Sequence, residues 1–99
     1  MRKYRLFDDY LLDVLKDPEE ASHYLNAVAE ENDTQLLVEA LAMVAKAHGM
    51  TQMARKASVT RVGLYKTLSR RGHPELKTFL KLIAASGLQL SFKPLRAAA

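Results

Sequence analysis

The apolar positions of this chain recur in helical steps over most of its length. Phe7, Tyr10, Leu11, Val14 and Leu15 lie three and four residues apart and predict a short helix near 8–16. Asp17-Pro18-Glu19-Glu20 then reads as a helix start: a capping carboxylate, a proline suited to the first helical position, and two acids that complement the helix dipole. The helix it opens carries Ala21, Tyr24, Leu25 and Val28 inward and runs to about Glu31, where Asn32-Asp33-Thr34 breaks it. A third helix places Leu36, Leu37, Ala40, Leu41, Val44 and Ala47 on one face and ends at Gly49, expected as a left-handed residue just past the helix end.

Two short helices follow. Thr51 is the expected N-cap of the first, over 51–57, and Thr60 of the second, over 61–70, with Ser58-Val59-Thr60 as the turn between them. Gly72-His73-Pro74 separates this pair from a last helix over 75–86, predicted to turn Leu76, Phe79, Leu80 and Ile83 inward and to end at Gly87. Leu88-Gln89-Leu90-Ser91-Phe92-Lys93 alternates apolar and polar residues, which predicts a half-buried strand stopped by Pro94, with a frayed alanine-rich end beyond it. The 99 residues are expected to form one domain: N-terminal helices over 1–48, the helix pair over 49–71, the last helix over 72–87 and the strand over 88–94. A lone strand exposes unpaired backbone groups. Leu88, Leu90 and Phe92 are therefore expected to meet a second copy in a two-fold homodimer, the alternative being an extended tail lying on its own core.

Composition narrows the function classes. Hydrophobic residues at 48% and charged residues at 26% suit a globular protein and are too apolar for a disordered one. With no cysteine, disulfides and thiolate zinc sites are excluded. His23, His48 and His73 lack metal-ligand spacing, and the chain has no nucleophile elbow, phosphate-cradling loop or dinucleotide fingerprint. No enzyme, metal or cofactor is expected. His48 precedes the helix-ending Gly49, where a cation suits the dipole, and Met43, Met50 and Met53 read as core filler. The basic Met1–Leu6 runs into Phe7-Asp8-Asp9 where a signal peptide needs an apolar stretch, and no run reaches the roughly 18 apolar residues of a membrane span. A cytoplasmic protein with no membrane partner is the expectation.

Charge changes the picture further, because it is split between the two halves. Residues 1–45 hold four Lys/Arg against ten Asp/Glu, a net of −6, and residues 46–99 hold eleven Lys/Arg against one acid, Glu75, a net of +10. The helix pair lies in the basic half. In a helix-turn-helix the second helix enters the major groove and the first crosses the backbone. The small Ala54 suits a close helix approach, and Val59, Leu64 and Leu68 fall where the second helix must be held to the core. Arg61, Val62, Tyr65, Lys66 and Ser69 then share the opposite face. Arg61 can bond O6 and N7 of a guanine, a contact worth about 1–3 kcal/mol of discrimination, and Val62 can touch a thymine methyl. Tyr65 and Lys66 suit phosphate or sugar. Thr51, Gln52, Arg55, Lys56, Arg70 and Arg71 flank this surface as candidates for salt-sensitive phosphate contacts. A basic helical face is equally what ordinary solvation produces, and short helix pairs also pack in proteins that never meet DNA.

Gly49-Met50-Thr51-Gln52-Met53-Ala54 followed by Val59-Thr60-Arg61-Val62-Gly63-Leu64-Tyr65-Lys66-Thr67-Leu68-Ser69 resembles the helix-turn-helix of addiction-module antidote proteins, HigA-like antitoxins with a lambda-repressor-like (Cro/C1-type) fold. Phe7-Asp8-Asp9-Tyr10-Leu11, Pro18–Ala27, His73-Pro74 and Ser86–Leu90 also fit, so the resemblance covers about residues 7–93. It implies a mainly α domain of five to six helices with a short C-terminal strand. It also implies a DNA-binding antitoxin that neutralises a RelE/HigB-type toxin and represses their shared promoter, with Thr51, Gln52, Thr60, Arg61, Tyr65 and Lys66 as DNA contacts. Three departures stand out: Ser58 where the turn usually has glycine, Val62 where a polar or acidic residue is expected, and a following loop made more basic by Arg71 and His73. RelE-type toxins are basic, so the acidic half offers them a charge-complementary surface at Asp8, Asp9, Asp13, Glu19 and Glu20. The alternative is a solvated acidic face that limits non-specific DNA binding. A stand-alone phage-type repressor, or a module that holds a toxin without binding DNA, fits the residues as well.

Overall fold

Six helices follow one another along the chain: α1 (Arg2–Val14), α2 (Pro18–Ala29), α3 (Thr34–His48), α4 (Met50–Lys56), α5 (Arg61–Thr67) and α6 (Leu76–Ala85). The computed structural model describes residues 2–69 and 71–95, with side chains from Phe7 onward. Arg70 and the alanine-rich end lie outside the described residues. No described helix is long and apolar enough to cross a membrane.

The helix boundaries follow local chemistry. α1 begins six residues earlier than the apolar spacing suggests, because Arg2, Lys3, Arg5 and Leu6 are good helix formers and nothing caps the helix at Phe7. It ends at Val14, since Asp17 must turn extended (φ −80°, ψ 119°) ahead of Pro18. The Asp17 carboxylate then accepts from the Glu19 N–H at 3.0 Å, as the start signal predicts. Asp33 caps α3 in the same way, accepting from Leu36 N–H at 3.2 Å. Gly49 takes the expected positive φ, 94°, yet it also serves as the N-cap of α4. Thr51 is therefore not a cap: the Gly49 carbonyl already accepts from Met53 N–H at 2.9 Å, which puts Thr51 inside the first turn.

α3 is the central element and packs on α1, α2 and α4, while α4 also packs on α5 and α6. The largest fully buried apolar side chains are Leu15 just past α1, Leu41 and Val44 of α3, Met53 of α4, Leu64 of α5 and Leu82 of α6. Met50 and Met53 are buried, in the filler role expected of them. Ser86 is buried too, with its hydroxyl donating to the Leu82 carbonyl at 2.8 Å, so the burial leaves no donor stranded.

Two expectations are corrected. Leu36, Leu76 and Leu80 face outward, at 42%, 70% and 41% exposure, and Val38, Leu82 and Ser86 take inner positions instead. α6 is apolar around most of its circumference, so its spacing alone does not fix which side meets α4. The second correction is the strand: among the described residues none is in a strand, and Leu88–Leu95 runs without regular structure. A strand is defined by a ladder, and the described residues supply no second segment to pair with this one.

Candidate nucleic-acid interface

α4 is held by Met50, Met53 and Ala54, all buried, which leaves Thr51, Gln52, Arg55 and Lys56 exposed on its other sides. Arg55 and Lys56 occupy its last turn, where cations complement the helix dipole. The helix stops in a double hydrogen-bonded closure: Ser58 N–H donates to the Arg55 carbonyl at 3.2 Å and Val59 N–H to the Ala54 carbonyl at 2.9 Å. This closure requires Ser58 to adopt φ 58°, the left-handed region that glycine takes without cost. The serine departure thus sits at the position where the backbone demands glycine-like geometry.

Thr60 turns the chain into α5. Its Oγ1 accepts from Gly63 N–H at 2.9 Å, the predicted cap. Leu64 (1% exposed) and Leu68 (6%) anchor α5 to the core. With those two inward, Arg61, Val62, Tyr65, Lys66 and Ser69 are all exposed, and Val62 reaches 75%. The Arg61 guanidinium donates to the Tyr65 hydroxyl at 3.4 Å, and its central carbon stands 5.4 Å from the ring centroid. The pair is a loose cation–π contact one turn apart that holds the guanidinium over the outer face. Ser69 is more constrained than its face suggests, because its hydroxyl donates to the Lys66 carbonyl at 2.7 Å and finishes the helix end. α5 accordingly ends at Thr67 and not at 70.

The loop after α5 folds tightly back. Gly72 N–H donates to the Ser69 carbonyl at 2.9 Å, and a Cβ at Gly72 would overlap the carbonyl oxygens of Lys66 and Thr67. Glycine is needed here for close approach, and the approach keeps the exposed Arg71 beside the C-terminal end of α5. Arg70 lies outside the described residues.

Lys56 lines an open cleft with His48 and Lys81, whose remaining walls come from Pro18 and the end of α6. Lys81 is a residue that the sequence reading misses. Its signal is the spacing of Lys77 and Lys81, four apart on a helix in the basic half. His48 departs from expectation: burial, and then the charge of Lys56, push its pKa below the ordinary histidine value, so the neutral ring is favoured over a dipole-complementing cation. The acidic positions expected to meet a toxin, Asp8, Asp9 and Asp13 on α1 and Glu19 and Glu20 in the first turn of α2, are all exposed. Asp13 pairs loosely with Lys16 at 3.6 Å.

Comparison with known proteins gives this arrangement a context. A family profile described as "Probable addiction module antidote protein" matches residues 4–94. A Haemophilus influenzae protein, described as "Uncharacterized protein", is 39% identical over 82 residues, which cover 83% of this chain and 84% of that relative. No solved structure is a significant match. The match to the antidote profile runs from α1 to the segment beyond α6 and takes in the acidic helices as well as α4 and α5, so the chain belongs to the addiction module antidote family and its role is that of an antitoxin.

Proposed function

We propose that the protein is a HigA-like, DNA-binding antitoxin of a type II toxin–antitoxin module. It neutralises a RelE/HigB-type toxin in the cytoplasm and represses the promoter that serves both genes. The observation that carries the DNA half of this reading is the outer face of α5. Arg61, Val62, Tyr65 and Lys66 are exposed together on a helix whose opposite side is locked into the core by Leu64 and Leu68. In a lambda-repressor-like arrangement α5 is the recognition helix and α4 crosses the backbone. Arg61 reads a guanine edge and Val62 a thymine methyl. Tyr65, Lys66 and Ser69 meet sugar or phosphate, as do Thr51, Gln52, Arg55, Lys56, Thr60, Arg70 and Arg71 around them.

The antitoxin acts as a two-fold homodimer joined through Leu88, Leu90 and Phe92, which matches a palindromic operator. The acidic face of α1 and α2, with Asp8, Asp9, Asp13, Glu19 and Glu20, meets the basic toxin. A module that only holds a toxin has no use for Arg61, Tyr65 and Lys66 on an exposed face, and their presence there favours the DNA-binding reading.

Titration against the upstream DNA of its own gene, beside a scrambled duplex and at two salt concentrations, tests the DNA reading. The expected result is a specific, salt-sensitive complex whose sequence preference is lost in Arg61→Ala. Equal weak binding to both duplexes, unchanged by Arg61→Ala, would remove α5 from the role of reader.

A further inference from the structure

Leu76, Phe79, Leu80 and Ile83 form one stripe along α6, three and four residues apart. In the single chain this stripe is only half covered: Ile83 is buried, whereas Leu76 and Leu80 are exposed. Phe79 and Ile83 continue into a mainly apolar cleft of about 140 Å3, with Leu25, Leu37, Leu88 and Leu90 among its walls and four polar residues beside them. That volume is below the range of small-molecule sites and close to the ~150 Å3 at which an apolar cavity accepts a single benzene-sized ring.

The segment edging the cleft carries such a ring and holds it in solvent. Phe92 is 91% exposed, and Leu90 beside it is 42% exposed. The backbone is equally unpartnered. Leu88 N–H donates to the Ile83 carbonyl at 3.1 Å, but from Gln89 to Leu95 no backbone hydrogen bond is made among the described residues. An open apolar cleft, an exposed aromatic ring and an unpaired backbone thus lie within five residues of one another.

We propose that the cleft is filled by Phe92 of a second copy of this chain, in an antiparallel two-fold pairing of Leu88–Phe92 centred on Leu90. The proposal rests on the homodimer reading above and fixes its register and its anchor. Antiparallel pairing centred on Leu90 sets Phe92 of each copy opposite Leu88 of the other, at the edge of the cleft. The two-residue period puts Leu88, Leu90 and Phe92 on the same side, so all three turn to the apolar stripe together. A two-fold axis makes each copy both donor and receiver of the ring.

Charge permits this pairing. No residue from Leu88 to Phe92 is charged, and the adjoining Lys93 is held by Glu30 of its own chain at 3.4 Å, so like charges do not face one another. A stable interface takes roughly 800 Å2 from each partner. A single aromatic ring brings about 150–250 Å2, and Leu76, Leu80 and Leu90 with the paired backbone extend the surface around it. The apolar stripe that the sequence assigns to the interior would then be interior, in the dimer.

The chain has no cysteine, so single cysteines report the register directly. Leu90→Cys places its two thiols at the axis, where facing Cα atoms of about 4.5–5.5 Å fall within disulfide range. Mild oxidation is expected to convert Leu90→Cys to a covalent dimer and to leave Leu95→Cys monomeric in denaturing gels. In sedimentation equilibrium, Phe92→Ala is expected to weaken the dimer by roughly tenfold or more, as loss of a central aromatic anchor does. Because Phe92 is exposed in the single chain, this variant keeps its fold. A wild-type dimer whose affinity is unchanged by Phe92→Ala, together with a Leu90→Cys variant that does not cross-link, overturns the exchange while the homodimer stands. A monomeric wild-type chain removes both. A monomeric chain in which Phe92→Ala loses the toxin instead gives the cleft to the toxin and also overturns the proposal.

Discussion

At Ser58 a single backbone angle carries a measurable cost. The turn between α4 and α5 holds this serine at φ 58°, where a side chain costs about 1–2 kcal/mol and glycine nothing, offset by about 0.5–1 kcal/mol for the greater freedom of glycine when unfolded. Ser58→Gly is therefore expected to stabilise the protein by about 0.5–1 kcal/mol in denaturant unfolding; a loss of stability would show that the turn is not strained. The residue types made this position legible, since a serine stood where such turns usually carry glycine. His48 was not legible in the same way. Its place before Gly49 suggested a cation, but the burial and the nearness of Lys56 that hold its pKa down arise only when α3, α4 and α6 come together. The folded state thus binds its proton less readily than the unfolded chain, so the contribution is intact above the unfolded value of about 6.5 and is lost as pH falls below it. Unfolding measured at pH 7.5 and 5.5 is expected to show this loss, and His48→Gln to narrow the difference. An equal difference in the variant would assign the pH dependence elsewhere.

Among the elements, α5 divides most sharply into two faces, and the division can be tested without DNA. Leu64, almost fully buried, is expected to cost about 2–5 kcal/mol when cut to alanine. Val62, two residues earlier and 75% exposed, is expected to change stability by no more than about 0.5 kcal/mol as Val62→Ala. Comparable losses at both positions would mean that α5 does not present its Arg61–Lys66 face to solvent. The two faces of α5 were readable because the helix is short, capped by Thr60, and carries its inner leucines four apart. α6 was less readable: leucine, phenylalanine, isoleucine and alanine occupy most of its circumference, and it is packing in the fold, including contact with α4, that selects Leu82 and Ile83, with Ser86 just beyond them, as the inner line. The cap at Gly49 was missed for a related reason. One residue closes α3 and opens α4, leaving Thr51 no capping role, and no local rule announces that two helices will share a residue. Leu88–Lys93 shows the limit of pattern reading, for alternation specifies a willingness to pair but not the presence of a partner.

On the scale of the whole molecule, charge is segregated along the chain, with a net of −6 over residues 1–45 and +10 over 46–99. α3 joins the two regions by packing on α1 and α2 as well as on α4. Under the proposed function such a division would steer a basic toxin and an acidic nucleic acid each toward one region and away from the other. Neutralising Asp8, Asp9 and Asp13 to asparagine is expected to weaken toxin binding and flatten its salt dependence while leaving the core untouched, since all three are exposed. Unchanged affinity and salt dependence would remove α1 from the toxin interface. The central claim is that one chain carries two separable activities, and separation of function tests it most directly. The Arg61→Ala/Lys66→Ala variant would be compared with wild type in cells carrying the proposed toxin, reading growth and the activity of a reporter fused to the promoter upstream of the antitoxin gene. The account predicts that the variant still restores growth but no longer represses the promoter. Loss of both activities together, or of neither, would contradict it.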